Sequence, residues 1–226
     1  MQMAGFTNYI RMFQDDVFIQ SIKNTFFYFV LQVPIMLAVA LVLACILNKK
    51  DLRFKGFFRT MIFLPCTTSL VAYSIIFRSL FANDGLVNYV LVNFGILDKP
   101  YNFLTQPFAA KMVIILALLW RWTGYNMVFF LSGLQNIESS VYEAAKIDGA
   151  SAIQTFFKIT VPVLKPTILL TAIMSTNGTL QLFDESINLT DGGPANASIS
   201  MSHYIYNLCF KYVPNFGYAA AMSFFI

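Results

Sequence analysis

The residues best placed to act on a partner lie between Ser139 and Pro166, SSVYEAAKIDGASAIQTFFKITVPVLKP. Ser140 followed three residues later by Glu143 has the pattern of a capping box, in which a hydroxyl and a carboxyl satisfy the orphan backbone N–H groups of a helix start. It predicts a short helix running to Ile147 or Asp148. Gly149 stands where that helix must end, and a left-handed backbone is cheap only for glycine. Ser151 and Gln154 form a second capping box, and Pro162 is expected to close the helix they open. The Ala144–Ala145 pair leaves the first helix thin on one side, so a partner's backbone or a bulky side chain can come close. Elbows of this kind also join helices in many proteins with no further role.

A second set of polar residues sits inside apolar stretches, where such groups are costly and are functional candidates by default. Asn177 and Gln181, in STNGTLQLFD, are four residues apart and share a helical face. Each amide both donates and accepts hydrogen bonds, which suits a hydroxyl-rich solute such as a sugar. The competing reading is that they bond to a neighbouring helix as structural glue. In WRWTGYN, Trp120, Trp122 and Tyr125 surround Arg121, with Asn126 following. Sugar C–H faces pack on aromatic rings, although helix packing is the commoner fate of such a cluster. Tyr125, Asn177 and Gln181 are the candidate substrate-binding residues. Arg121 is too expensive to face lipid and is expected to face the bundle or a wet cavity.

Other chemistries find little support. Cys45, Cys66 and Cys209 stand far apart with no CxxC pairing, and His203 is the single histidine. A metal site and a disulfide framework are therefore not expected. No GxxxxGK[ST] run occurs, so ATP is expected on a partner rather than here.

The elements that must position these residues are membrane helices. The chain is 58% hydrophobic and only 12% charged, whereas soluble domains average about 45–50% and about 25%. Its apolar residues gather into uncharged runs, and about 20 such residues cross a bilayer core. Spans are expected over 25–47, 60–77, 112–134 and 163–183, with a fifth, 217–226, half the length that crossing needs. Pro34 is a candidate kink in the first. The start, MQMAGFTNYIRMFQDD, has no apolar core behind a basic end and is not expected to be a signal peptide. The loop Asn48 to Arg59 holds Lys49, Lys50, Arg53, Lys55 and Arg59 against one acid, Asp51. Such density marks the cytoplasmic side. Alternation then places loop 78–111 outside, loop 135–165 in the cytoplasm, and 184–216 outside.

The elbow also carries a family pattern. The run EAA, three residues, Gly, nine residues, then I-x-L-P stands here as Glu143-Ala144-Ala145, Gly149 and Ile159-Thr160-Val161-Pro162, with valine in place of leucine. It resembles the signature of permease subunits of ATP-binding-cassette importers. NYIRMF, KGFFRTMIFLP, WRWTGYNMVFFLSGLQNI, YEAAKIDGAS and LTDGGPANAS are similar, in order and spacing, to the maltose-type carbohydrate permease family, over nearly all of the chain. The resemblance implies an all-α polytopic bundle, one permease domain over 1–226 with a six-helix core, of which the first helix and most of the last are expected to be missing. It implies Glu143, Ala144, Ala145, Asp148 and Gly149 as the element coupled to an ATPase, and a mid-membrane sugar site on the third and fourth spans. It implies a non-enzymatic subunit of the cell inner membrane with no cofactor of its own. The partners implied are a second permease subunit, ATPase subunits, an extracytoplasmic solute-binding protein, a sugar and lipid, but no nucleic acid. A permease for another solute, such as a glycerol phosphate or an amino acid, and a non-pumping scaffold or channel subunit are the alternatives.

Overall fold

The computed structural model describes residues 6–49 and 51–226; Lys50, counted above in the basic loop, lies outside the described residues. Among these residues every regular element is a helix, as the all-α expectation requires: α1 (Thr7–Met12), α2 (Asp16–Asn48), α3 (Lys55–Thr67), α4 (Leu70–Leu80), α5 (Leu86–Asn93), α6 (Pro107–Gln135) and α7 (Ser139–Ile147). Then follow α8 (Ala152–Thr155), a π-helical turn (Phe156–Thr160), α9 (Val161–Val163), α10 (Lys165–Leu180), α11 (Asp184–Thr190), α12 (Met201–Tyr206), a second π turn (Asn207–Lys211) and α13 (Phe216–Phe225).

Among the described residues, two helices are long and apolar enough to cross a membrane unbroken. α2 has 33 residues and α6 has 29, hence about 50 and 44 Å at 1.5 Å per residue. α2 remains one helix through Pro34. Asp15 caps it: its Oδ1 accepts from the N–H groups of Val17 (3.0 Å) and Phe18 (3.2 Å).

The other two expected spans are broken. Where one helix is expected over 60–77, α3 ends at Thr67 and α4 begins at Leu70, neither long enough to cross alone. Where one is expected over 163–183, the helix Ala152–Val163 bends by 70° into α10. Pro162 does not close its helix, contrary to the sequence expectation. Its missing N–H falls just after the π turn, whose widened spacing shows in the Val161 N–H bonding Phe156 O, five residues back. The chain turns two residues later, at Leu164, immediately before Lys165 and Pro166 open α10.

The chain divides into two compact units: 1–32 with 68–118 and 177–226, and 33–67 with 119–176. In the first, Met12, Phe18, Ile199, Tyr204, Leu208, Tyr218, Ala219 and Met222 form the core. Asp15 Oδ2 accepts from the hydroxyls of Tyr204 (2.6 Å) and Tyr218 (2.8 Å), joining the start of α2 to α12 and α13. In the second, Ala40, Leu41, Ala44 and Leu47 of α2 meet Met127, Phe130, Leu131 and Leu134 of α6, with Leu164. The C-terminal ends of α2 and α6 therefore lie together. Gly124 of α6 makes this packing possible, because a Cβ there would fall on the Ile62 carbonyl of α3.

Candidate functional site

The elbow lies wholly within the second unit. α7 starts at Ser139 with Glu138 at its N-cap and no side-chain cap bond. The expected Ser140–Glu143 box is thus not formed: Ser140 is already inside the first turn, and its hydroxyl donates to Glu138 Oε2 at 3.2 Å. The second box forms as expected, with Gln154 N–H donating to Ser151 Oγ (3.3 Å) and Ser151 N–H to Gln154 Oε1 (2.8 Å).

Between the two helices Gly149 adopts φ +74°. Its N–H bonds Lys146 O (3.2 Å) and the Ala150 N–H bonds Ala145 O (2.9 Å), the paired closure of a Schellman turn. Ala145 is buried, whereas Glu143, Ala144, Asp148 and Gly149 are exposed. The Tyr142 hydroxyl reaches Thr160 Oγ1 at 3.4 Å and ties α7 to the helix that follows. Behind the elbow is a cavity of about 560 Å³ whose lining includes Cys45, Lys49, Tyr142, Glu143, Lys146 and Phe156.

Sequence reasoning missed the apolar residues on this element. Ile147 is 86% exposed, with Ile153 and Phe157 also open. Ile147 follows Ala145, the buried residue of α7, by two positions, about 200° around a helix, so its place opposite the buried face was legible on a helical wheel. Ile147, Ile153 and Phe157 thus give the elbow exposed apolar surface, and Glu143, Lys146 and Asp148 carry its exposed charge.

The polar residues of the spans fall in both units. Asn177 and Gln181 share a face as expected: Gln181 Nε2 donates to Asn177 Oδ1 at 3.1 Å, and both side chains are exposed. Thr179, between them in sequence, points away and donates to Gln32 Oε1 at 2.7 Å, a helix-to-helix bond that the sequence reading did not assign. Tyr125 belongs to the second unit, half-buried with its ring 5.9 Å from Trp122 and 5.0 Å from Phe129. Asn126 is buried, donates to Trp122 O (3.1 Å) and accepts from Ser175 Oγ (3.3 Å). Arg121 is 5% exposed, its guanidinium 5.3 Å from the Trp122 ring centroid. Among the described residues no group of three or more His, Cys, Asp or Glu side chains is placed to hold a metal ion.

Residues 17–226 match the family described as binding-protein-dependent transport system inner membrane component. The chain belongs to that family. It is 55% identical to the lactose transport system permease protein LacF of Rhizobium radiobacter, over 100% of this chain and 76% of that protein. It is 32% identical to the arabinooligosaccharides transport system permease protein AraP of Bacillus subtilis, over 99% of the chain and 71% of that protein. Among solved structures, a bacterial ABC transporter involved in the import of the acidic polysaccharide alginate superposes with a TM-score of 0.89 at 26% identity, covering 100% of this chain and 79% of that one. A bacterial alginate ABC transporter in complex with an alginate pentasaccharide-bound periplasmic protein gives 0.86 at 28% identity, covering 98% of this chain and 77% of that one. This binding-protein-dependent permease component is thus a membrane protein whose elbow stands on the polypeptide segment where the importer signature was read.

Proposed function

We propose that this permease component forms part of the translocation pathway for a sugar, driven by ATP hydrolysis in a partner ATPase. The observation that carries the reading is the elbow: an exposed, small-faced helix closed by a left-handed glycine, flanked by bare Ile147, Ile153 and Phe157. A surface of that composition is suited to a protein groove, and Glu143, Ala144, Ala145, Asp148 and Gly149 are its coupling residues. Ala145 acts from inside, keeping α7 close to the bundle, while the other four face the partner. The basic loop with Lys49, Arg53, Lys55 and Arg59 puts the elbow on the cytoplasmic side, as one multi-spanning domain requires.

The sugar reading is supported by the carbohydrate systems to which LacF and AraP belong by name. Tyr125, Asn177 and Gln181 are its proposed contacts. The two amides satisfy each other with one bond only, so each keeps donors and acceptors for hydroxyls. A second permease subunit and a solute-binding protein complete the machine. The subunit itself catalyses no bond chemistry and needs no cofactor, ATP being held by the ATPase.

Disulfide cross-linking in the assembled transporter tests the reading. Ile147→Cys should cross-link to a cysteine in the ATPase groove, and labelled disaccharide uptake should stop when ATP hydrolysis is blocked. Uptake that continues without the ATPase would sink the proposal. Uptake that requires ATP but is not competed by any mono- or oligosaccharide would replace the sugar by another solute.

A further inference from the structure

The segment from α5 to Ile96 connects two spans and takes no part in the elbow or the amide cluster. Its sequence from Gly85 to Leu97, GLVNYVLVNFGIL, carries no charge; Asp84 and Asp98–Lys99 stand just beyond its ends. Leu86, Tyr89 and Val90 fall at i, i+3 and i+4, one helical face, and are 59%, 66% and 39% exposed, with Phe94 at 78% and Ile96 at 68%. The opposite face is pinned. Asn88, 1% exposed, donates to Ala82 O (2.9 Å) and Tyr101 O (3.0 Å) and accepts from Tyr101 N–H (2.8 Å). Its amide thus clasps the strand of chain leaving α4 to the strand that leads into α6.

That clasp sets the depth of the segment. Only residues 81–85 separate α4 from α5, and five residues reach at most about 17 Å even when extended. Here they are folded, with Gly85 N–H on Ala82 O at 2.9 Å. A Schellman turn at Gly95 (φ +68°) closes α5, with Gly95 N–H on Val92 O and Ile96 N–H on Leu91 O. Beside it runs an aromatic cluster: Phe77 stacks on Phe81 at 6.2 Å, Phe81 meets Phe103 at 5.5 Å, and Phe103 meets Tyr101 at 5.0 Å. Tyrosine and tryptophan gather at the headgroup level of membrane proteins, and Tyr101 in this cluster and Tyr89 on the stripe are residues of that type. α4 also exposes apolar side chains, Val71, Ile75 and Ile76.

We infer that α5 and the turn to Ile96 form an interfacial helix, lying on the bilayer surface with Leu86, Tyr89, Val90, Phe94 and Ile96 in the lipid. The stripe is uncharged along its length, with Asn93, at i+7 from Leu86, the polar side chain in its register, and Asp84 and Asp98–Lys99 stand at its two ends, where the charged flanks of a helix at the headgroup level belong. The tether also holds it at the span ends rather than letting it project into water. A helix so placed fixes the tilt and rotation of α4 and α6 in the membrane.

The test is spin-label accessibility in the assembled transporter in phospholipid nanodiscs, with labels at Tyr89→Cys and Phe94→Cys and a control at Asn83→Cys. Labels at 89 and 94 should be relaxed strongly by oxygen and weakly by a water-soluble nickel chelate, with the reverse at 83. Equal chelate access at all three positions would overturn the inference, and so would exclusion of both reagents at 89 and 94, which would mean a protein partner covers the face. Quenching of Tyr89→Trp fluorescence by brominated lipid gives the same answer without a label: strong quenching supports lipid burial, and none refutes it. Neither readout depends on ATP or sugar, so failure here is distinguishable from failure of the transport reading.

Discussion

Replacing Gly149 by valine separates coupling from folding. The backbone there has φ +74°, a region that costs an L-residue about 1–2 kcal/mol. A Cβ added at 149 would meet nothing within 4 Å, so the cost is backbone strain alone, without a clash in the bundle. A strain of that size changes the ratio of native to displaced elbow about 5–30-fold. The bonds that break first are Gly149 N–H to Lys146 O and Ala150 N–H to Ala145 O, which hold the end of α7 against the next helix. With them lost, α7 swings about its Tyr142–Thr160 contact, and Ile147 leaves its docking position. The core around Leu131, Leu134 and Leu164 does not depend on the elbow, so insertion and expression should be parental. Coupled uptake in the assembled transporter should fall, by up to that factor, while the ATPase co-purifies weakly or hydrolyses ATP without transport. Gly149→Asn, which tolerates the left-handed region better, should retain most uptake, and Gly149→Ala should fall between. Parental uptake in the valine variant would refute the reasoning, as would an order of activity that does not follow Gly, Asn, Ala, Val.

Gly124→Ala should lower thermal stability, because its Cβ would fall on Ile62 O and within 3.0 Å of Phe63 Cα; overpacking of this kind costs about 1–3 kcal/mol, read as a lower unfolding midpoint in detergent. Asn177→Ala and Gln181→Ala should each reduce uptake several-fold without loss of assembly, a neutral hydrogen bond being worth about 0.5–1.5 kcal/mol; parental rates in both would place the solute elsewhere. For Asp15, burial pushes the carboxyl pKa up, but hydrogen bonds from Tyr204, Tyr218 and the Phe18 and Val17 amides outweigh it and hold the group below its usual 3.8. Its contribution is full above the ordinary carboxylate range and is lost as pH falls through the depressed value, so Asp15→Asn should flatten the acid limb of a stability–pH curve. His203 has its pKa lowered by burial and by Lys211, against Asp191, so the unfolded chain takes up the proton first. Stability should therefore decline as pH falls below about 6.5, and His203→Gln should remove that decline.

Composition and spacing determined the kind of protein. Long uncharged runs have no soluble solution, and the helix is the structure that satisfies its own backbone in lipid, so the all-α bundle followed from sequence. The elbow was legible too, because Gly149 and the Ser151–Gln154 box act within a few residues. Local rules failed where a neighbour in space intervened. Hydropathy reads residues 60–77, across the end of α3 and most of α4, as one uncharged stretch and cannot show the break at residues 68–69, since no charge marks either side of it. Pro162 looked like a stop, yet a π turn absorbs its missing donor and the helix continues to Val163. Ser140 looked like a cap, but α7 begins one residue before it. Whether a polar side chain in a span is free or shared is likewise a long-range fact. Thr179 is bonded to Gln32, 147 positions away in the chain, while Asn177 and Gln181 bond only along their own helix face. The pattern of residue types can nominate such groups, but only tertiary packing, which brings distant segments within 3 Å, decides which are used to hold the fold and which remain to meet a solute.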